Sequence, residues 1–170
     1  MLNKQKILLL DGHTVQVLPV AKALRKKNYH VTILCEDKLS FGWASRYPHK
    51  KVLCPNISLN LEKYLNFLES FLVQNNFDVI IPLFNDTAEL VSEYKKRFEK
   101  FTKVAIPNYD IFLKGHDKNL TMSIAKKINV AHPRTMNLEI YSFKEAAIYC
   151  GFPSLIKPNK IGRASCRERV

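Results

Sequence analysis

Apolar positions along the chain fall into short blocks whose period changes from one block to the next. Lys6-Ile7-Leu8-Leu9-Leu10 is a continuous run stopped by Asp11-Gly12-His13, the pattern of a strand buried on both faces and ended by a turn. Leu18, Ala21 and Leu24 then make a helical stripe ending in Arg25-Lys26-Lys27, cations that suit a helix C-terminus, while Pro19 requires the helix to start close by. The β-branched run His30–Cys35 predicts a second strand, residues 36–48 a loop carrying Phe41, Trp43, Arg46 and Tyr47, and Lys51–Cys54 a short third strand. Leu61, Tyr64, Leu65, Leu68, Phe71 and Leu72 recur at three-and-four spacing, which predicts a helix from Asn60 to Asn75-Asn76. Residues 78–84 read as a fourth strand, and Asn85-Asp86-Thr87 offers capping oxygens to a helix lined by Ala88, Val91, Tyr94, Phe98 and Phe101. Residues 103–107 read as a fifth strand. Strands alternating with helices on short links imply a doubly wound parallel sheet, because each parallel connection needs a crossover.

Beyond this unit the character shifts. Residues 108–115 read as a connector, 116–127 as a short polar helix, and Val130-Ala131-His132-Pro133 as a turn. Ser142-Phe143-Lys144-Glu145 is a capping box opening a helix to Cys150, and Gly151-Phe152-Pro153 is a turn before a strand at Leu155-Ile156. The expected organisation is a first domain over residues 1–112, which should fold alone, and a second, incomplete one over 113–159, which should be loosely ordered. Residues 161–170, Ile-Gly-Arg-Ala-Ser-Cys-Arg-Glu-Arg-Val, have neither apolar period nor turn chemistry. One reading frame of a widely used short-read sequencing adapter translates into these ten residues in order, so 160–170 is read as adapter read-through and set apart from the fold. The natural protein is then expected to continue past Asn159.

Composition narrows the class without choosing a function. With 170 residues, 46 % hydrophobic and 25 % charged, the chain is long enough to bury a core, which excludes disorder and a disulfide-stapled miniprotein. The longest apolar run is too short for a membrane span and the start fits no signal peptide, so a cytoplasmic location and no membrane partner are expected. The net charge is +12; the last ten residues hold three arginines and one glutamate, leaving +10 on the rest. Such charge attracts polyanions in general. Cys35, Cys54 and Cys150 are an odd set with no Cys-x-x-Cys pair, which points to inert thiols in a reducing compartment rather than a disulfide or zinc.

The first turn, Asp11-Gly12-His13-Thr14, holds one glycine where a dinucleotide fingerprint needs three. No Gly-x-x-x-x-Gly-Lys-Ser/Thr loop, His-Glu-x-x-His or Gly-x-Ser-x-Gly occurs, so the local signatures of the common nucleotide hydrolases, zinc peptidases and serine hydrolases are missing. The informative constellation lies later. Asp117-Lys118 opens a helix, Ala131-His132-Pro133-Arg134-Thr135 follows it, and Gly151-Phe152-Pro153-Ser154-Leu155-Ile156-Lys157-Pro158 runs into a strand.

This constellation resembles the ATP-grasp ligases, in particular the carbamoyl phosphate synthase large chains and carboxylate–amine ligases. The resemblance implies an N-terminal fragment: a Rossmann-like pre-ATP-grasp domain followed by the truncated start of an ATP-grasp domain. It makes Lys118 and Lys157 the lysines that contact ATP phosphates, compact point charges suited to phosphate oxygens. It implies ATP and Mg2+ as cofactors, an acyl phosphate intermediate and a small carboxylate substrate. The glycine-rich loop, the magnesium ligands and the catalytic arginine of the family have no counterpart in residues 1–159, so no catalytic or metal-binding residue is assigned and the chain as it stands should be inactive. In the first domain, Ser45-Arg46-Tyr47-Pro48 resembles a stretch of several such ligases and Asp86 follows the fourth strand. Arg46 and Asp86 are the substrate-side candidates, expected beyond the C-terminal strand ends where open α/β sheets bind ligands.

Two other classes compete. A basic nucleic-acid-binding domain is suggested by the charge and by Arg25-Lys26-Lys27 and Lys95-Lys96-Arg97, but Glu93 and Glu99 stand beside the second cluster, and solvated faces explain both. No nucleic-acid partner is therefore expected. A stand-alone nucleotide-binding α/β domain without catalysis would use the first domain only. Oligomeric state is not legible in the sequence.

Overall fold

The computed structural model describes residues 4–159 and the backbone of a short strand at Glu168–Arg169. Up to Tyr109 the order is β1 (Lys6–Leu9), α1 (Val17–Lys26), β2 (His30–Cys35), α2 (Phe41–Ala44), β3 (Lys50–Leu53), α3 (Leu61–Asn75), β4 (Val79–Ile81), α4 (Asn85–Glu93), α5 (Lys95–Phe98) and β5 (Lys103–Val104). The five strands pair in parallel in the order β3-β2-β1-β4-β5. The register runs from Lys6↔His30 to Leu9↔Ile33 on one side of β1 and from Ile7↔Val79 to Leu9↔Ile81 on the other. The chain first builds outward from β1 through β2 and β3, then returns to add β4 and β5. The order therefore reverses between β1 and β4, and their C-terminal loops frame a crevice.

Alternation along β1 sends its apolar run to both faces. Leu8 and Leu10, with Leu34 and Ile80, meet Tyr64, Leu65, Leu68, Phe71 and Leu72 of α3, Leu90 and Val91 of α4 and Phe98 of α5. Ile7 and Leu9, with Val31, Ile33 and Cys35, pack on Val17 and Ala21 of α1, joined by Trp43 and Tyr47. Asn60 caps α3, its side chain accepting from the Lys63 amide at 2.8 Å.

Several local expectations are corrected. The predicted loop over 36–48 contains α2, whose Gly42 amide donates to the Gly12 carbonyl at 2.7 Å. The helix predicted to run from Ala88 to Phe101 breaks at Tyr94, where ψ swings to 17°. Asn85, Asp86 and Thr87 do not cap α4. They are its first turn, behind Phe84 at the cap position, which makes no side-chain cap bond. The stretch read as a connector carries α6 (Tyr109–His116).

The chain divides into two compact units between Tyr109 and Asp110, inside α6. The second unit adds α7 (Lys118–Lys127), α8 (Phe143–Cys150), β6 (Leu155–Ile156) and β7 (Glu168–Arg169), the two strands pairing antiparallel. The capping box forms as the spacing predicts: Ser142 Oγ accepts from the Glu145 amide and Glu145 Oε2 from the Ser142 amide. Apart from β7, the adapter reading of residues 160–170 falls outside the described residues.

Candidate functional site

In the second unit, Asp117 has the extended backbone of an N-cap and its Oδ1 accepts from the Leu120 amide at 3.0 Å, which sets Lys118 at the first position of α7. Lys157 directly follows β6. The two lysines, 39 positions apart in the sequence, line one cavity of about 370 Å³ with Met122, Met136, Leu138 and Ile156 on its apolar walls. That size and lining, apolar with a few polar groups at fixed places, is what a small-molecule site requires. The Lys118 ammonium donates to the carbonyl oxygens of Pro158 at 2.6 Å and Asn159 at 3.1 Å. An ammonium has three N–H donors, so these two bonds account for two of the three among the described residues. Lys157 is exposed to solvent. Among the described residues no group of three or more His, Cys, Asp and Glu side chains could hold a metal ion.

In the first unit, the crevice at the strand-order reversal is organised by Asp11, which follows β1 with a φ of 64°, a left-handed conformation that short Asx side chains tolerate better than most. Its Oδ2 accepts from the Leu83 amide at 2.8 Å and the Phe84 amide at 3.0 Å, and its Oδ1 from the Thr87 hydroxyl. One carboxylate thus laces the β1 loop to the β4 loop. Burial raises its pKa above the usual carboxylate value, against the opposing pull of these hydrogen bonds and of nearby His13. His13 Nδ1 stands 3.8 Å from Glu36 Oε1 and its ring meets Phe84 edge-on. The cavity among Asp11, His13, Glu36, Cys54, Tyr64 and Thr87 is only about 10 Å³, the lower limit for one water. It is a lock between loops, too small for a substrate.

Gly12 explains the lone glycine of the first turn. A Cβ there would collide with Cys35 Sγ and the Leu34 carbonyl, so the glycine serves the approach of β2 and needs no phosphate. Burial pushes the Cys35 thiol up to about 11 and the Cys54 thiol up to about 12, which makes both poor nucleophiles near neutral pH.

The four residues singled out from the sequence therefore separate. Lys118 and Lys157 share a cavity. Asp86 lies in the first turn of α4, on the carboxyl side of the sheet, exposed, while its neighbour Thr87 points inward. Arg46 departs from expectation. Its carbonyl accepts from Arg25 at the end of α1, and His49 pairs with Val31 near the start of β2. Arg46 is thus at the amino end of the strands, opposite the crevice, because the chain has already turned back to begin β3. Asp11, Thr87 and Asn159 were missed. Their signal is tertiary, since each acts on a segment 40 to 76 positions away.

No family model matches the sequence, and no curated protein matches it. Solved structures do. An L-amino acid ligase from Bacillus licheniformis superposes with a TM-score of 0.71 at 15 % identity, over 98 % of this chain and 39 % of that one. The ADP complex of an N5-carboxyaminoimidazole ribonucleotide synthetase gives 0.65 at 17 % identity, over 100 % and 42 %. The biotin carboxylase domain of Hydrogenobacter thermophilus 2-oxoglutarate carboxylase, solved with MgADP, ADP and bicarbonate, gives 0.64 at 17 %, over 93 % and 35 %. These neighbours are ATP-grasp enzymes, and the chain shares their fold along nearly its whole length. It spans about two fifths of the length of the first two.

Proposed function

We propose that this chain, having the fold of the amino-terminal part of ATP-grasp ligases, supplies the amino-terminal portion of an ATP-dependent carboxylate–amine ligase and holds the phosphate end of ATP between Lys118 and Lys157. The observation that carries this reading is the meeting of those two lysines at one apolar-walled cavity of about 370 Å³. In the whole enzyme a carboxylate oxygen of a small substrate attacks the γ-phosphorus and ADP leaves. An amine then attacks the acyl carbon, its proton is lost, and phosphate departs with the electrons of the broken C–O bond. Mg2+, when bound, would supply neutralisation of phosphate charge, and no residue described here is assigned to hold it. The part of this reaction that falls to the present chain is nucleotide binding, without turnover.

Titration of the full chain with ATP, followed calorimetrically, tests the reading. Charge-assisted hydrogen bonds contribute about 1.5–3 kcal/mol, so Lys157→Ala is expected to weaken ATP binding about tenfold or more. Unchanged affinity would remove Lys157 from the site, and no binding by the parent chain at millimolar ATP would overturn the assignment of the cavity.

A further inference from the structure

Lys118 and Lys157 belong to different elements, a helix start and a strand end, and two ammonium groups at one cavity repel each other. Something must hold the helix start and the strand end together. The bonds that do so converge on one residue. Asn159 Nδ2 donates to Asp117 Oδ2 at 3.0 Å, and Asn159 Oδ1 accepts from the Asn119 amide at 3.2 Å. Its main-chain oxygen accepts from the Lys118 amide and from the Lys118 ammonium, each at 3.1 Å. Asn159 therefore bonds to all three residues that open α7, two places after Lys157, and its carboxamide uses donor and acceptor ends at once. A free first turn of a helix leaves its amides without intrahelical partners; here two of them are spent on Asn159.

We infer that Asn159 is a positioning residue, which clamps the end of β6 to the start of α7 and thereby sets the spacing of the two lysine ammonium groups that receive the nucleotide phosphates. The inference rests on the proposed nucleotide site and adds to it the residue that organises it. Aspartate cannot replace the asparagine, because its second oxygen would face Asp117 Oδ2 where an N–H now stands, setting two carboxylates against each other. The defect is repairable by exchange. With Asp117→Asn, the new amide at 117 donates to the carboxylate at 159 and still caps α7, since Asn and Asp cap equally well. The net charge of the exchanged pair equals that of the parent.

The test compares ATP affinity of the full chain as parent, Asn159→Asp, and Asn159→Asp with Asp117→Asn, together with hydrogen exchange at the Lys118 and Asn119 amides. The single variant is expected to bind ATP about tenfold more weakly and to exchange both amides faster, as the loss of a hydrogen bond to a charged group implies. The double variant is expected to recover affinity to within about threefold of the parent and to restore protection. A residue needed only as bulk would not be rescued by exchanging its partner. Parent-like affinity in the single variant, or no recovery in the pair, overturns the positioning role. If the parent itself fails to bind ATP, the nucleotide reading falls and the positioning role with it, and the exchange data then report separately whether the clamp exists.

Discussion

Single residues in this protein do work that their type alone does not announce. Asp11 reads in the sequence as the polar end of a strand, yet its buried carboxylate joins two loops 72 to 76 positions apart. Its folded-state pKa is raised above 3.8 by burial, so the folded chain holds that proton more tightly than the unfolded one. The contribution of this group is fully present below the unfolded value and is lost as pH rises through the folded value. Asp11→Asn removes the ionisation and one of two acceptor oxygens. In urea unfolding from about pH 4 to 7, the stability difference between variant and parent is expected to shift in the variant's favour as pH rises. A difference independent of pH would show that burial does not govern this carboxylate. Lys118 and Lys157, by contrast, entered as candidates through a resemblance carried by Asp117-Lys118 and Lys157-Pro158. What was not legible was the bonding of Lys118 to the carbonyls of Pro158 and Asn159.

At the scale of elements, periodicity and caps succeed where the determinants are local. The stripe of α3 is buried at Tyr64, Leu65, Leu68, Phe71 and Leu72 as its spacing predicts, and Asn60, Asp117 and Ser142 cap the helices they precede. Asn60→Ala should cost about 1 kcal/mol, measured by chemical denaturation of the full chain; an unchanged midpoint would mean that solvent satisfies the Lys63 amide equally well. The reading failed at Asn85-Asp86-Thr87, where three good capping residues stand in a row. The Thr87 hydroxyl goes to Asp11 and the helix begins at Asn85, so a long-range partner outcompetes the local one. The same holds for α2: four residues make too short a period to read, and the helix is fixed by Gly42 meeting Gly12.

Across the whole molecule, the two units differ in how much they bury. Every fully buried apolar side chain of the described residues lies between Ile7 and Phe98, whereas from Asp110 onward His116 is the single buried residue among those described. Burial of apolar surface is the main favourable term in folding, so protection should be uneven. In native-state hydrogen exchange, the amides of β1, β2 and β4 are expected to be the slowest, and those of α7 and α8 to exchange through openings of much lower free energy. Uniform protection along the chain would refute this. The positive charge of the chain is likewise spent locally in part: Lys95 lies 3.4 Å from Glu99, and Arg97 bonds to Glu69 at 2.5 Å and to Asn66 at 2.9 Å. Electrophoretic shifts on random DNA and RNA at physiological salt are expected to show no submicromolar binding. Such binding would restore the nucleic-acid reading.

The sequence by itself determined the class of fold and the main helices and strands, because alternation, helical spacing and capping act over a few residues and are written along the chain; Lys118 and Lys157 it offered only as candidates, through a resemblance. Tertiary structure alone decided that Arg46 stands at the amino end of the strands, that Asp11 and Thr87 lock the crevice, and that Asn159 ties a strand end to a helix start. Those outcomes depend on which segments the sheet order and the chain reversals bring within about 3 Å of each other, the range at which hydrogen bonds act.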